Sequence, residues 1–332
     1  MLYGSGLRIS EACHLNLGDV VPDGTGVQVT VREGKGGKDR IVPAGGKAWQ
    51  ALRDYLPLRA SLVTAFLAAG RPADLAMNGF GAAVAIVFGS GLAVVPDGLV
   101  VEQQIPYAEL GWPVTHVDGH PNRMLVARRD APDRQRILLL HGRAHRYEGW
   151  TDDELERPIA DLARWGVARL VLTNACGALN ERAAPGDAVV VEEVVDLQVA
   201  PGAEPPRLAA TGGARAAACA GALSPWLRAV TGRYVAVPGP QYETPAEVRW
   251  LARFGDVVGM STAPEVRAAL RSGQSLVVVA LVVNRAGWAA GHAEVVGTAA
   301  RIAAGLGKAL LPLTDVAWPD GDGDAAQATP AT

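Results

Sequence analysis

Seven short runs of aliphatic and β-branched residues recur through the middle of this 332-residue chain, and what lies between them leaves few folds open. The runs are Ala83–Phe88, Ile137–Leu140, Leu170–Thr173, Ala188–Val195, Tyr234–Val237, Val257–Met260 and Ser275–Val283. Several are apolar without interruption, the pattern of strands covered on both faces, because a half-solvated strand would alternate. Helix starts separate them. Thr151 with Glu154, Thr244 with Glu247 and Thr262 with Glu265 have capping-box spacing, and Pro245 and Pro264 fall in the first turn. Gly166, Gly255 and Gly273 stand where helices are expected to stop. Strands alternating with helices predict a single α/β domain, here over residues 61–318.

The segments that follow the strands carry the chemistry. GSGL at 89–92, HGRAHRYEG at 141–149, TNACGALN at 173–180, GMSTAPE at 259–265 and VNRAG at 283–287 each begin at a strand's carboxyl end. Open α/β sheets bind ligands at that edge. In HGRAHRYEG, Arg143 supplies a planar donor fork suited to phosphate oxygens, and His145 falls on the same side of an extended segment. A solvated loop of mutually paired charges would look similar. GSGL is equally compatible with a tight turn or with backbone N–H groups and the Ser90 hydroxyl cradling an anion. His141 is expected to be a buried structural histidine, and His116 and His120 are given no role in catalysis. Capping accounts for the Thr, Pro and Glu of GPQYETPAE and GMSTAPE, but not for Glu243, Met260 or Ser261. Asn284 ends the longest apolar run, where a strand-terminating turn residue is the simpler explanation.

Composition narrows the class of function. Charged residues make up 20% and apolar residues 49%, and no apolar run is long enough to span a membrane. Residues 1–60 hold 8 Lys and Arg against 6 Asp and Glu, a net +2, so the overall −3 leaves −5 on the rest of the chain. That excludes a general nucleic-acid-binding field over the main body and points to a small-molecule partner. The amino terminus has no signal-peptide layout, so the cytoplasm is the expected location. Cys13, Cys176 and Cys219 form no even framework, which implies reduced thiols, and no ligand spacing suggests a metal. The tail 319–332 is small, polar and without core-forming residues.

In order and spacing, GSGL, HGRAHRYEG, LTNACGALN, GDAVVVEE, VPGPQYETPAEVRWL, VVGMSTAPEV and GHAEVV resemble the trimeric purine nucleoside phosphorylases, over Ala82 to Leu313. The resemblance implies a central, mostly parallel mixed β-sheet flanked by helices. It also implies phosphorolysis of purine ribo- or deoxyribonucleosides, of the inosine and guanosine kind, by a homotrimer without cofactor or metal. Phosphate would be held by Ser90, Arg143, His145 and Ser261 with the backbone around Ala175. The purine would be met by Glu243 and Asn284, with Tyr242 beside it, and the ribose by Tyr147, Met260 and His292. His145, Glu243 and Asn284 are the expected catalytic residues. The chain departs from the family's pattern at Ala93, Cys176, Ala178 and Val283. Across 194–221 a Gly- and Ala-rich segment replaces the aromatic that would cover a neighbour's sugar, so weak closure over the ribose is expected.

Ahead of this domain, LYGSGLRISEACHLNLGDV and a basic hairpin over Val27–Val42 containing GKGGKDRIVP resemble the catalytic domain of tyrosine recombinases. Arg8 and Lys35 match that family's first arginine and hairpin lysine. Nothing after Ala60 supplies its His-x-x-Arg pair or its tyrosine, so residues 1–60 read as a small, non-catalytic α+β fragment. Two other functions stay open: a phosphorylase-like protein that binds purine or phosphate without turnover, and a DNA-binding protein related to recombinases.

Overall fold

The computed structural model describes residues 20–23, 26–31, 40–44, 80–131, 135–199, 204–287 and 292–318. The chain divides into two compact units, Met1–Ala73 and Asp74–Thr332. In the first, β1 (Val20–Asp23), β2 (Gly26–Val31) and β3 (Arg40–Ala44) form an antiparallel sheet, and β2 with β3 is the hairpin expected around Val27–Val42. Arg8, Lys35 and the helices expected there lie outside the described residues.

The second unit is built on a ten-stranded mixed sheet. Its strands are β4 (Ala82–Phe88), β5 (Leu99–Pro106), β6 (Arg123–Arg129), β7 (Arg136–His141), β8 (Arg169–Ala178), β9 (Ala188–Asp196), β10 (Arg207–Ala209), β11 (Ala229–Ala236), β12 (Val257–Gly259) and β13 (Ser275–Arg285). All seven expected runs are strands. The two that end in polar residues continue further than their apolar stretch: β8 includes Asn174 to Ala178, and β13 includes Asn284 and Arg285. The reason is pairing. β8 is hydrogen-bonded to β4, β12 and β13, so its backbone stays extended through residues whose side chains are polar or small. β5, β6 and β10 carry no long apolar run and were not foreseen; all three make antiparallel pairings towards the sheet's margins.

In the centre of the sheet β7, β4, β8 and β13 pair in that order and run parallel to one another. The pairings β8–β13, β13–β9, β9–β11, β11–β12 and β12–β8 return to their starting strand, so half of the sheet closes into a ring. Alternate residues of the strands feed two cores. Val87, Leu138, Leu140, Leu172 and Val278 pack with Ile159 and Leu162 of α2 (Asp152–Arg164) and Val266 of α5 (Ala263–Arg271). Ile86, Phe88, Leu139, Val171 and Val279 pack with Cys219 and Leu223 of α3 (Gly213–Leu223) and Leu306, Leu310 and Leu313 of α6 (His292–Ala317). This two-sided burial explains the uninterrupted apolar runs. Truncating a fully buried leucine such as Leu310 costs about 2–5 kcal/mol. The remaining helices are α1 (Tyr107–Leu110) and α4 (Pro245–Leu251).

The helix signals fare unequally. Thr151 and Thr244 form complete capping boxes, and Gly166 and Gly273 take left-handed φ of 87° and 68° beyond α2 and α5. Thr262 does not cap. It sits at φ 74°, ψ −39° with no side-chain cap bond, which frees Glu265 for another partner. Gly255 serves close packing instead of a left-handed stop: a Cβ there would lie 2.9 Å from the Arg233 carbonyl oxygen and 2.7 Å from Val235. Cys176 and Cys219 are free buried thiols. Among the described residues no helix is long and apolar enough to cross a membrane.

Candidate active site

The carboxyl ends of β4, β7, β8, β12 and β13 converge on one solvent-open cleft of about 690 Å³. Ser90, Arg143, His145, Tyr147, Ala175, Tyr242, Glu243, Met260, Ser261 and Asn284 all line it. Of the expected site residues only His292 is not placed there; it begins α6, and its side chain lies outside the described residues. Gly89 makes the convergence possible. A Cβ at this position would meet the Asn174 Cα at 2.8 Å, so only glycine lets the GSGL turn press against β8 and bring Ser90 beside Ala175.

Arg143 anchors the buried end. The residue is 5% exposed, and its Nε donates to Glu265 Oε1 at 2.6 Å. Nη1 donates to the Thr173 carbonyl at 2.8 Å and lies 3.5 Å from Ser261 Oγ. Nη2 is buried with no partner among the described residues. The Thr262–Glu265 spacing suggests only a cap, which Thr262 does not make. The buried pairing of Glu265 with a residue 122 positions away is invisible to any local pattern.

His120, given no role in catalysis from the sequence, stands behind the lining and hydrogen-bonds to Ser90. Its Nδ1 accepts the Arg143 backbone N–H at 3.2 Å, which leaves the ring proton on Nε2, 2.8 Å from Ser90 Oγ. Ser90 therefore accepts from His120 and keeps its own hydroxyl proton for another acceptor. Histidine in a glycine-flanked loop gave no signal for this; the contact depends on Gly119, whose loop lies against Gly91.

His145 stacks on Tyr147 with ring centroids 4.9 Å apart and faces the His120 ring edge-on at 5.5 Å. Glu148 Oε2 accepts the His145 backbone N–H at 2.8 Å and lies 3.4 Å from Nδ1, while Oε1 accepts from the Thr115 hydroxyl at 2.7 Å. Burial raises the Glu148 carboxyl, but hydrogen bonds from His145, Thr115 and His116 outweigh it and hold it at about 2. A carboxylate on the Nδ1 side of His145 leaves Nε2 for a ligand. His141 is structural, as expected. It is 2% exposed, its Nε2 lies 3.0 Å from the Val94 carbonyl, and burial lowers it to about 4.

Thr262 adds strain at the centre. A β-branched residue at positive φ costs on the order of 1–3 kcal/mol. It is held there by full burial, by Asn174 Nδ2 donating to its hydroxyl at 3.0 Å, and by Ser261 Oγ at 3.2 Å. The turn this produces sets Ser261 beside Arg143.

The opposite lining is looser. Asn284 follows a register shift between Val282 and Asn284, a bulge that re-aims the side chain, and among the described residues its Nδ2 donates to the Arg285 carbonyl alone, at 3.2 Å. Burial pushes the Glu243 carboxyl up, and Glu247 adds to the effect. Tyr242 is 40% exposed. Burial raises Tyr147 to about 12 and the Cys176 thiol well above its usual range, so neither ionises near neutrality. Among the described residues no cluster of His, Cys, Asp and Glu could hold a metal ion.

Residues 84–313 match the phosphorylase superfamily. The chain belongs to that family. Within it the chain is 32% identical over 221 residues to purine nucleoside phosphorylase 1 of Geobacillus stearothermophilus, covering 61% of this chain and 78% of that one. Against the purine nucleoside phosphorylase of Mycobacterium tuberculosis it is 35% identical over 243 residues, covering 68% and 87%. The phosphorylase domain superposes on a Schistosoma purine nucleoside phosphorylase in complex with hypoxanthine, with a TM-score of 0.59 and 28% identity, covering 70% of this chain and 90% of that one. The Schistosoma mansoni enzyme in complex with adenosine gives the same TM-score. Residues 1–74 match the phage integrase family.

Proposed function

We propose that this phosphorylase cleaves purine nucleosides with inorganic phosphate, preferring 6-oxopurines such as inosine and guanosine, ribo- or deoxyribo-, and releasing the base and pentose 1-phosphate. The observation that carries the reading is the single cleft in which Ser90, Arg143, His145 and Ser261 stand together with Glu243 and Asn284. A phosphate oxygen forms the new bond to C1′ as the bond from C1′ to the purine nitrogen breaks and its electron pair leaves with the base. Such an oxocarbenium-like transition state needs a fixed phosphate on one face and stabilisation of charge on the departing purine on the other. Arg143 Nη2, the Ser90 hydroxyl, the Ser261 hydroxyl and His145 Nε2 are assigned to the phosphate, with the backbone near Ala175. Glu243 and Asn284 are assigned to the base, Tyr242 to its face, and Tyr147, Met260 and His292 to the sugar. The reaction so written uses no cofactor.

Asn284 can offer its NH₂ to O6, and an ionised Glu243 can only accept, which suits the N1–H of a 6-oxopurine. Adenosine reverses both. A mismatched buried pair of this kind discriminates by about 10²-fold. We also assign the homotrimer to this chain. In support, Tyr242 and Glu243 stand where the cleft meets a groove of about 2200 Å³ that holds the exposed Trp250 with Val199, Pro205 and Pro206. Such an apolar flank beside an open cleft suits a neighbouring copy.

The test is kcat/KM for inosine and adenosine in the presence of phosphate, wild type against Asn284→Asp, following release of the base. Inosine should lead by about 10²-fold, and the substitution should narrow or reverse the gap, because a carboxylate accepts from a 6-amino group and repels O6. Equal use of both nucleosides would remove the base assignment, and no base release at all would leave a phosphorylase-like binding protein.

A further inference from the structure

We propose that Glu265 is a positioning residue for the attacking phosphate, acting through the orientation of Arg143. The proposal deepens the phosphorolysis reading and rests on it.

Three observations meet at this carboxylate. First, Thr262 makes no cap, so the local role that the Thr262–Glu265 spacing suggests is vacant. Second, the side chains of Arg143 and Glu265 are 4% and 9% exposed, and their contact at 2.6 Å is the shortest that Arg143 makes. Third, the contact is single. A two-point pairing of guanidinium and carboxylate would engage a terminal nitrogen as well; here Oε1 takes only Nε, and both Nη2 and Glu265 Oε2 are left without partners among the described residues.

A guanidinium has five donors in one rigid plane, so fixing two nitrogens fixes the third. Glu265 holds Nε and the Thr173 carbonyl holds Nη1. The plane is then set, and Nη2 is reserved for a ligand of the cleft that Arg143 lines. Glu265 stands in the first turn of α5, where the helix N-terminus favours its charge. Among the described residues no other element offers Nε an acceptor.

Orientation and charge make opposite predictions. If Glu265 acted only as a negative charge, neutralising it would strengthen the attraction of phosphate for Arg143. If it acts as an acceptor at a set distance, Glu265→Gln keeps the carbonyl oxygen in place, and Glu265→Asp keeps the charge but falls one methylene short.

The experiment uses the full chain with inorganic phosphate. Phosphate binding is followed by calorimetry, and KM for phosphate and for inosine are measured separately, in wild type, Glu265→Gln, Glu265→Asp and Glu265→Ala. Positioning predicts that Ala and Asp weaken phosphate binding by about tenfold or more, while Gln stays within about threefold and KM for inosine barely moves in any of them. Should the Ala variant fail to fold, the Gln and Asp pair decides alone. Phosphate binding unchanged in Asp, weakened equally in Gln and Asp, or lost together with inosine binding overturns the proposal. Wild-type protein that neither binds phosphate nor releases base overturns the phosphorolysis reading itself, whereas normal wild-type turnover with indifferent variants overturns only the role of Glu265.

Discussion

The two linings of the cleft are built differently. At the proposed phosphate end Arg143, His145 and Ser261 are each less than a tenth exposed, and Ser90, His120, Thr173, Glu265, Glu148, Thr115 and Asn122 tie them into one hydrogen-bonded assembly. At the proposed base end Tyr242 is 40% exposed, Asn284 bonds among the described residues to the adjacent carbonyl alone, and Glu243 stands at the border of an apolar groove. One end is preorganised by its own chain. The other is left for the substrate, or a neighbouring copy, to complete. Electrostatic stabilisation depends on donors that do not reorganise during reaction, so the rigid end is where most of the transition-state stabilisation should reside.

The largest expected effect tests that asymmetry. Arg143→Ala should cost about 2–4 kcal/mol of transition-state stabilisation, read as kcat/KM for phosphate, because it removes a charge-assisted donor and strands the Glu265 carboxylate. Phosphate kinetics left unchanged would show that the assembly is scaffold alone.

A smaller effect belongs to pH. In the proposed role Glu243 is ionised to accept from N1–H, and burial raises its pKa, so kcat/KM for inosine should fall as pH drops through a value above the ordinary carboxylate range. Because the raised pKa means that the folded protein holds this proton more tightly than the unfolded chain does, protonating Glu243 does not itself favour unfolding. Glu243→Gln should lower the plateau and abolish that acid limb. A limb that persists in the variant would move the titration elsewhere.

The smallest change is expected at the rim. Tyr242→Ala should raise KM for inosine about threefold and leave KM for phosphate alone, since a half-exposed ring contributes only part of its stacking. A rise in both constants would mean that the two linings are coupled and the contrast between them is wrong.

Most of the fold was legible because burial on both sheet faces writes itself into uninterrupted apolar runs, as in Leu170–Leu172 and Ser275–Val283. The margin strands β5 and β10 were not, because half-exposed pairings leave mixed sequences such as LVVEQQIP. The site divides in the same way. Arg143 and His145 announced themselves as charged residues placed directly after a strand. His120 and Glu265 did not, since a loop histidine and a helix-start glutamate have ordinary local explanations. Their partners, Ser90 and Arg143, lie 30 and 122 residues away and meet them only once the chain is folded.

The ring of strands has a consequence for how such a chain is made. β8 and β9 both wait for β13, which is roughly a hundred residues downstream of β8 and the last strand of the domain. A growing chain that has passed Ser261 already carries Ser90, Arg143, His145 and Glu243, yet two inner strands still show unpaired edges to their surroundings. Until Ser275–Arg285 arrives and slots between them, those edges are open to any other extended segment, which is the circumstance in which nascent sheets mispair and aggregate. Long-range closure of this kind is slow, because the intervening loop must be ordered before any contact repays it. Synthesis therefore delivers the structural closure and Asn284 in the same stretch of eleven residues, so a chain that closes its ring has also brought that side chain to the cleft.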